Sequence, residues 1–120
     1  MKRTLDLQGE KLEFEMTNRT IFEIDERFDN FGFVINGLMY GQNVYNNALK
    51  VLVCSCVTNR LDEKKQKKEL TIEELKEKLT ADQVMDEIID LATNMYYEYR
   101  GVKTKEENSD EDLNRENKKK

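Results

Sequence analysis

The densest apolar stretch of the chain, Ala48 to Val57, also carries its most reactive side chains, Cys54-Ser55-Cys56. Two thiols separated by one residue suggest metal ligation or redox chemistry. On a helix, residues two apart point about 200° away from each other and cannot share one ion. On a strand they share a face, yet the second half of a four-cysteine site is missing, because these are the only two cysteines. Both are expected to be free thiols acting as small core hydrophobes in a reducing compartment.

The chain has no histidine, which removes Ser-His-Asp and Cys-His arrangements and the histidine-containing zinc sites. Ser55 and Ser109 are the only serines. Asp110-Glu111-Asp112-Leu113-Asn114 begins like a calcium loop, but Arg115 stands where that loop requires glycine and the chain stops before its last ligand. No catalytic, cofactor-binding or metal-binding residue is assigned, and the expectation is a protein that is not an enzyme. A pair of close acids in a deep pocket is the feature that would favour the opposite view.

Charge narrows the partners. The net charge is −5 and the pI near 4.9, against the summed positive potential that nucleic-acid binding uses. Thr71 to Arg100 has the outline of a helix-turn-helix, yet it holds eight acidic residues against three basic ones, so phosphates would repel it. The Lys64 to Lys68 run lacks interleaved aromatics and reads as a solvated segment. No apolar run approaches the length of a membrane span, and no apolar segment follows Met1-Lys2-Arg3 as a secretion signal would require. The sequon at Asn18 therefore carries no weight, and a cytoplasmic location is expected.

The elements follow from periodicity. Leu5 and Leu7, then Leu12, Phe14 and Met16, alternate with polar residues around Gln8-Gly9-Glu10-Lys11, so Thr4 to Met16 reads as a β-hairpin with one apolar face. Such a hairpin is barely stable alone and must lie against helices. Asn18 to Asp29 reads as a helix of about two turns, with Thr20 and Glu23 as a capping box and Ile21, Ile24 and Phe28 on one face. Asn30 to Gly41 carries Gly32, Gly37 and Gly41 among large apolar residues and reads as a short helix or a packed loop.

Asn43 to about Arg60 has the length of a mostly buried helix, with Asn43, Asn47, Lys50 and Thr58 along a polar edge, although its valines also suit a strand. Asp62 to Glu69 is a connector or a helical extension. Thr71/Glu74 and Thr80/Gln83 are capping boxes. The first opens a short helix. The second opens a long one, Ala81 to Arg100, whose apolar stripe includes Val84, Met85, Ile88, Leu91 and Met95 and is closed by Gly101. The absence of proline, where average usage gives about six, suits unbroken helices. Residues 103–120 balance six positive against six negative side chains around one leucine and are expected to be a disordered charged tail.

The expected fold is α+β and mostly helical. An N-terminal β-hairpin packs on about four helices in a single domain over residues 1–102, followed by the tail. Phe31, Phe33, Met39 and Tyr40 are the candidate partner-binding residues. They either cover the core or, on a glycine-spaced and adaptable backbone, offer apolar anchors to a partner.

The order of these elements resembles the tail assembly chaperones of long-tailed bacteriophages. The similarity is carried by the hairpin Leu5-Asp6-Leu7-Gln8-Gly9-Glu10-Lys11-Leu12-Glu13-Phe14 and the acidic helix Ile24-Asp25-Glu26-Arg27-Phe28. It continues in Tyr45-Asn46-Asn47-Ala48-Leu49-Lys50-Val51-Leu52 and in the capped pair Leu70-Thr71-Ile72-Glu73-Glu74-Leu75 and Leu79-Thr80-Ala81-Asp82-Gln83-Val84. It spans roughly residues 4 to 101 as a pattern of elements and not as an invariant signature. The resemblance implies a non-enzymatic protein, of phage or prophage origin, that coats the tape-measure protein in the host cytoplasm. Such a protein recruits the tail-tube protein and leaves before the virion is finished. It implies no nucleic-acid or membrane partner and no catalytic residues. Many genes of that family end in a −1 frameshift, for which the codons of Asn117-Lys118-Lys119-Lys120 are a candidate slippery site. An acidic helical interaction module acting as a regulator is the alternative. The wide stripe on Ala81 to Arg100 is compatible with self-association.

Overall fold

The computed structural model describes residues 2–102. The polypeptide starts with two antiparallel strands, β1 (Arg3–Leu7) and β2 (Glu10–Phe14), paired so that Leu5 faces Leu12 and Arg3 faces Phe14. A two-residue turn joins them. Gln8 and Gly9 both take positive φ, 51° and 92°, which matches the strand twist, and the Asp6 carboxylate accepts the Gly9 N–H at 2.7 Å. Glu10 and Lys11, expected in the turn, belong to β2. Period-two alternation puts Leu5, Leu7, Leu12 and Phe14 on one face, and all four are buried. Each such side chain contributes about 1.5–3 kcal/mol on burial, which offsets the marginal stability of a lone hairpin.

Six helices follow among the described residues: α1 (Asn18–Arg27), α2 (Phe31–Tyr40), α3 (Val44–Ser55), α4 (Ile72–Lys78), α5 (Ala81–Asp86) and α6 (Ile88–Arg100). With the hairpin they form the expected α+β, mostly helical architecture, with six helices where about four were anticipated. The α3 helix is the centre. It packs against α1, α2, α4 and α6, and its residues Asn47 to Leu49 and Val51 to Ser55 are buried. The tail expected over 103–120 lies outside the described residues.

Several boundaries differ from the sequence reading. The α1 helix is capped one turn earlier, with Thr17 as N-cap and Thr20 at the third helical position, and the Thr20 hydroxyl accepts the Thr17 N–H at 3.1 Å. A buried Thr20 side chain packs inward from there, which a cap residue would not do. Asn30 to Gly41 resolves to a helix. Asn30 caps it by accepting the Gly32 N–H at 2.8 Å, and Gly41 closes it in the left-handed conformation.

The α3 helix stops at Ser55, not near Arg60. Cys56 turns extended and bridges to Phe14 on β2. The Glu15 N–H donates to the Ser55 carbonyl at 2.9 Å and the Val57 N–H to the Glu13 carbonyl at 2.9 Å. Val57 at the end of the apolar run thus serves a short strand-like edge, while Val51 and Val53 are helical. Asn47, placed on a polar edge by spacing, is buried, because its side-chain amide donates to the Gln42 carbonyl at 2.9 Å.

The long helix expected over Ala81 to Arg100 breaks at Glu87, whose φ and ψ are −121° and −48°. Gln83 donates from its amide to the Asp6 carbonyl on the hairpin, so α5 follows β1 while α6 follows α3. The change of axis leaves Met85 exposed and turns Ile88 into the core. Glu98, expected to face away, instead accepts from Arg3 Nε at 2.8 Å and ties α6 to β1. At its end α6 stops as anticipated, on Gly101 at φ 72°. Residues 60–68 form an irregular connector pinned by Asp62, whose carboxylate accepts the N–H groups of Lys64 and Gln66 at 2.8 and 2.9 Å. Among the described residues, no helix is long and apolar enough to cross a membrane.

Candidate partner-binding face

The four residues Phe31, Phe33, Met39 and Tyr40 all lie on α2, but the helix divides them. Phe31, Ile35 and Met39 recur every fourth residue and turn toward the core and α6. The Phe31 ring lies 6.2 Å from that of Tyr96, and the Met39 sulfur accepts from the Tyr97 hydroxyl at 3.6 Å. Both are half-buried and packed against the core. Phe33 and Tyr40, seven residues apart, lie one above the other on the opposite flank, with 69% and 80% of their surfaces in water. The expected set is thus half structural and half exposed.

The backbone beneath them is fixed. Gly37 sits one turn from Phe33 and lets α3 approach: a Cβ there would lie 2.1 Å from Asn47 Nδ2 and 2.5 Å from the Gln42 carbonyl oxygen. The Asn47–Gln42 hydrogen bond runs through that contact and locks the α2–α3 connection. Beside it lies a shallow hollow of about 290 Å³, bordered by Phe33, Asp29, Asn36, Asn43 and Lys50.

A third exposed aromatic was not singled out from the sequence. Phe22 on α1 is 66% exposed. Once Ile21, Ile24 and Phe28 are assigned to the inner face, helical spacing leaves Phe22 outside the stripe, so the signal was present. Phe22, Asp25 and Glu26 share the i, i+3, i+4 spacing of one helical edge, Asp29 follows just past the helix end, and all four are exposed. That edge leads to α2. The Asp25 carboxylate accepts the Phe31 N–H, and Asp29 borders the same hollow as Phe33.

The reactive residues of the apolar run are placed differently. Cys54 is buried on α3, and burial raises its thiol pKa to about 11 despite the Arg27 guanidinium 3.9 Å from its sulfur. A thiol so shifted stays protonated and is a poor nucleophile. Cys56 lies beyond the helix end on the extended segment, and both cysteines border one cleft. Ser55 Oγ is buried with no hydrogen-bond partner, so nothing is in place to take its proton. Among the described residues, no group of three or more Cys, Asp or Glu is placed to hold a metal ion.

The strongest electrostatic feature is elsewhere. Arg60, 5% exposed, donates to both oxygens of Glu10 on β2 at 3.0 and 2.9 Å. It also forks onto Glu74 on α4, each terminal nitrogen donating to one carboxylate oxygen, at 2.9 and 2.5 Å. Lys78 Nζ adds a bond to Glu74 at 2.9 Å. Hydrogen bonds from Arg60 lower the Glu74 carboxyl to about 2 and hold Glu10 below its usual range, and the two carboxylates hold the guanidinium proton more tightly. Glu74 was expected to complete a capping box with Thr71. The Thr71 hydroxyl does accept the Glu74 N–H at 3.1 Å, but the Glu74 side chain is drawn to Arg60. This cluster is fully engaged within the chain and joins the hairpin, the connector and α4. It is a structural knot.

Compared with family models, with curated proteins and with solved structures, the chain gives no match in any of the three.

Proposed function

We propose that the protein is a non-enzymatic binding module that masks an apolar helical stripe of a partner, acting as a tail assembly chaperone on a phage tape-measure protein. The observation that carries the reading is the pair Phe33 and Tyr40, exposed one above the other on a helix whose other side is anchored in the core. Large aromatic side chains on a rigid support lose little conformational freedom on docking and are typical binding anchors. An amphipathic helix presents its own apolar residues at i, i+3, i+4 and i+7, which suits a helix laid along such a face. The tape-measure assignment rests on the resemblance in the order of elements. A tape measure exposes long apolar helical stripes before the tail closes around it, and an acidic partner covering them keeps them in solution.

Co-expression tests the reading. Helical fragments of a tape-measure protein, insoluble alone, are expected to be recovered soluble and bound when this chain is present, and to return to the pellet with the Phe33→Ser/Tyr40→Ser variant. Fragments that stay insoluble beside the folded wild-type chain, or that the double variant solubilises equally well, would overturn it.

A further inference from the structure

Arg19, Glu23 and Arg27 of α1 border a separate cleft of about 250 Å³ together with Cys54 and Lys68. Asp25, Glu26 and Asp29 lie on the edge that starts at Phe22 and leads to Phe33. The aromatic face is therefore bordered on its α1 side by three carboxylates. Lys50 of α3 is the cation at the Phe33 hollow. Glu26 is exposed, so its charge is free to act outward.

Carboxylates interleaved with exposed aromatics favour one kind of occupant over another. An apolar helix flanked by acids would bring like charges against Asp25, Glu26 and Asp29, and desolvating carboxylates beside like charges is costly. A helix flanked by Lys or Arg pairs with them, and its long stems add apolar cover over Phe22 and Phe33. We infer that the segment received by this face is a basic amphipathic helix, whose apolar stripe docks on Phe22, Phe33 and Tyr40 while its Lys/Arg edge lies over Asp25 and Glu26 of α1 and Asp29 just beyond its end. The inference rests on the docking role proposed for Phe33 and Tyr40, and it adds the chemistry and the orientation of the occupant.

The probe is a pair of synthetic peptides of roughly 18 residues, long enough to form a helix on docking. Both carry the same leucine stripe, one bordered by lysines and the other by glutamates. Fluorescence anisotropy against the full chain reads the affinity at low salt and at about 0.3 M salt, where exposed charges are largely screened. The lysine peptide is expected to bind at least about tenfold more tightly than the glutamate peptide at low salt, with the gap narrowing as salt rises. Glu26→Lys/Asp29→Asn should weaken the lysine peptide about fivefold, as expected for exposed pairs. Asp82→Lys/Asp86→Lys, at exposed acids on α5, should leave it unchanged and excludes attraction by net charge alone.

Equal binding of the two peptides, loss of affinity in the α5 variant as large as in the α1 variant, or no binding of the lysine peptide would each overturn the inference. The docking role fails separately. Equal binding of both peptides that is abolished by Phe33→Ser/Tyr40→Ser keeps the face and rejects its basic occupant. Binding of the lysine peptide that survives those two substitutions rejects the face itself.

Discussion

Two regions of this small protein handle side chains that water and the core would each normally claim, and they do so in opposite ways. Around Arg60 a guanidinium and the Glu74 carboxylate are taken largely out of water and paired, with Glu10 at the more open edge. On α1 and α2 aromatic groups are left mostly in water. The first arrangement spends polar side chains on holding the chain together; the second leaves apolar surface unused by the chain. A buried ion cluster adds little net stability over well-packed apolar residues, but removing one member is costly. Exposed aromatics contribute little to folding and much to association. Stability and binding should therefore respond to different substitutions.

The largest effect is expected at the knot. Arg60→Met leaves Glu74, with a side chain only 11% exposed, facing Glu10 without the guanidinium between them. Lys78 still pairs with Glu74, so the loss should be about 3 kcal/mol, at the lower end for a broken buried pair. Urea unfolding of the variant measures it. Replacing both partners, Arg60→Met/Glu74→Leu, should recover most of the loss. If the double variant is no more stable than the single one, the knot is more than an ion cluster.

Acid probes the same knot. The folded-state pKa of Glu74 is about 2, below the ordinary carboxylate value of 4.5. A depressed folded pKa contributes stability that is fully present above 4.5 and is lost as pH falls from 4.5 through about 2. Glu10, held low by the same arginine, adds in the same direction. The urea midpoint should decline over that window, and Glu74→Gln should flatten the decline. An identical decline in the variant would place the acid sensitivity elsewhere.

Little of this contrast was legible as contrast. The hairpin, the inward faces of α1 and α6 and the buried α3 followed from spacing, because periodicity is a local property and each face meets one core. The α2 aromatics were found by type, but sorting Phe31 and Met39 from Phe33 and Tyr40 required the axis of α2 relative to α6. The knot left no trace, since Arg60 is fifty residues from Glu10 and fourteen from Glu74. A local rule even pointed Glu74 elsewhere, to a capping box with Thr71. The break at Glu87 was hidden for the same reason: the apolar stripe runs on through it, and only the tether from Gln83 to the hairpin redirects α5.

Gly37 is where the α2 face meets the core. Gly37→Ala would drive a Cβ against Asn47 Nδ2 and the Gln42 carbonyl oxygen. The expected cost is about 1–3 kcal/mol of stability, as for overpacking elsewhere. Asn47→Ala in the same background frees the side-chain contact but not the carbonyl, so it should restore only part. Full restoration would mean that the α2–α3 connection is more adaptable than its hydrogen bond suggests.

The smallest effect on folding is expected where the effect on binding is greatest. Phe33→Ser/Tyr40→Ser removes two rings that are mostly in water, so the urea midpoint should shift by no more than the equivalent of about 0.5 kcal/mol. Phe31→Ser is the internal control. It lies on the same helix and is of the same type, but its ring packs beside Tyr96, so it should destabilise measurably, by about 1–3 kcal/mol for a half-buried aromatic. The discriminating outcome is the order of the two. If the exposed pair costs more stability than Phe31 alone, those rings cover a surface of this chain. Phe33 and Tyr40 are then part of the fold, and the separation between a paired knot and an open face collapses.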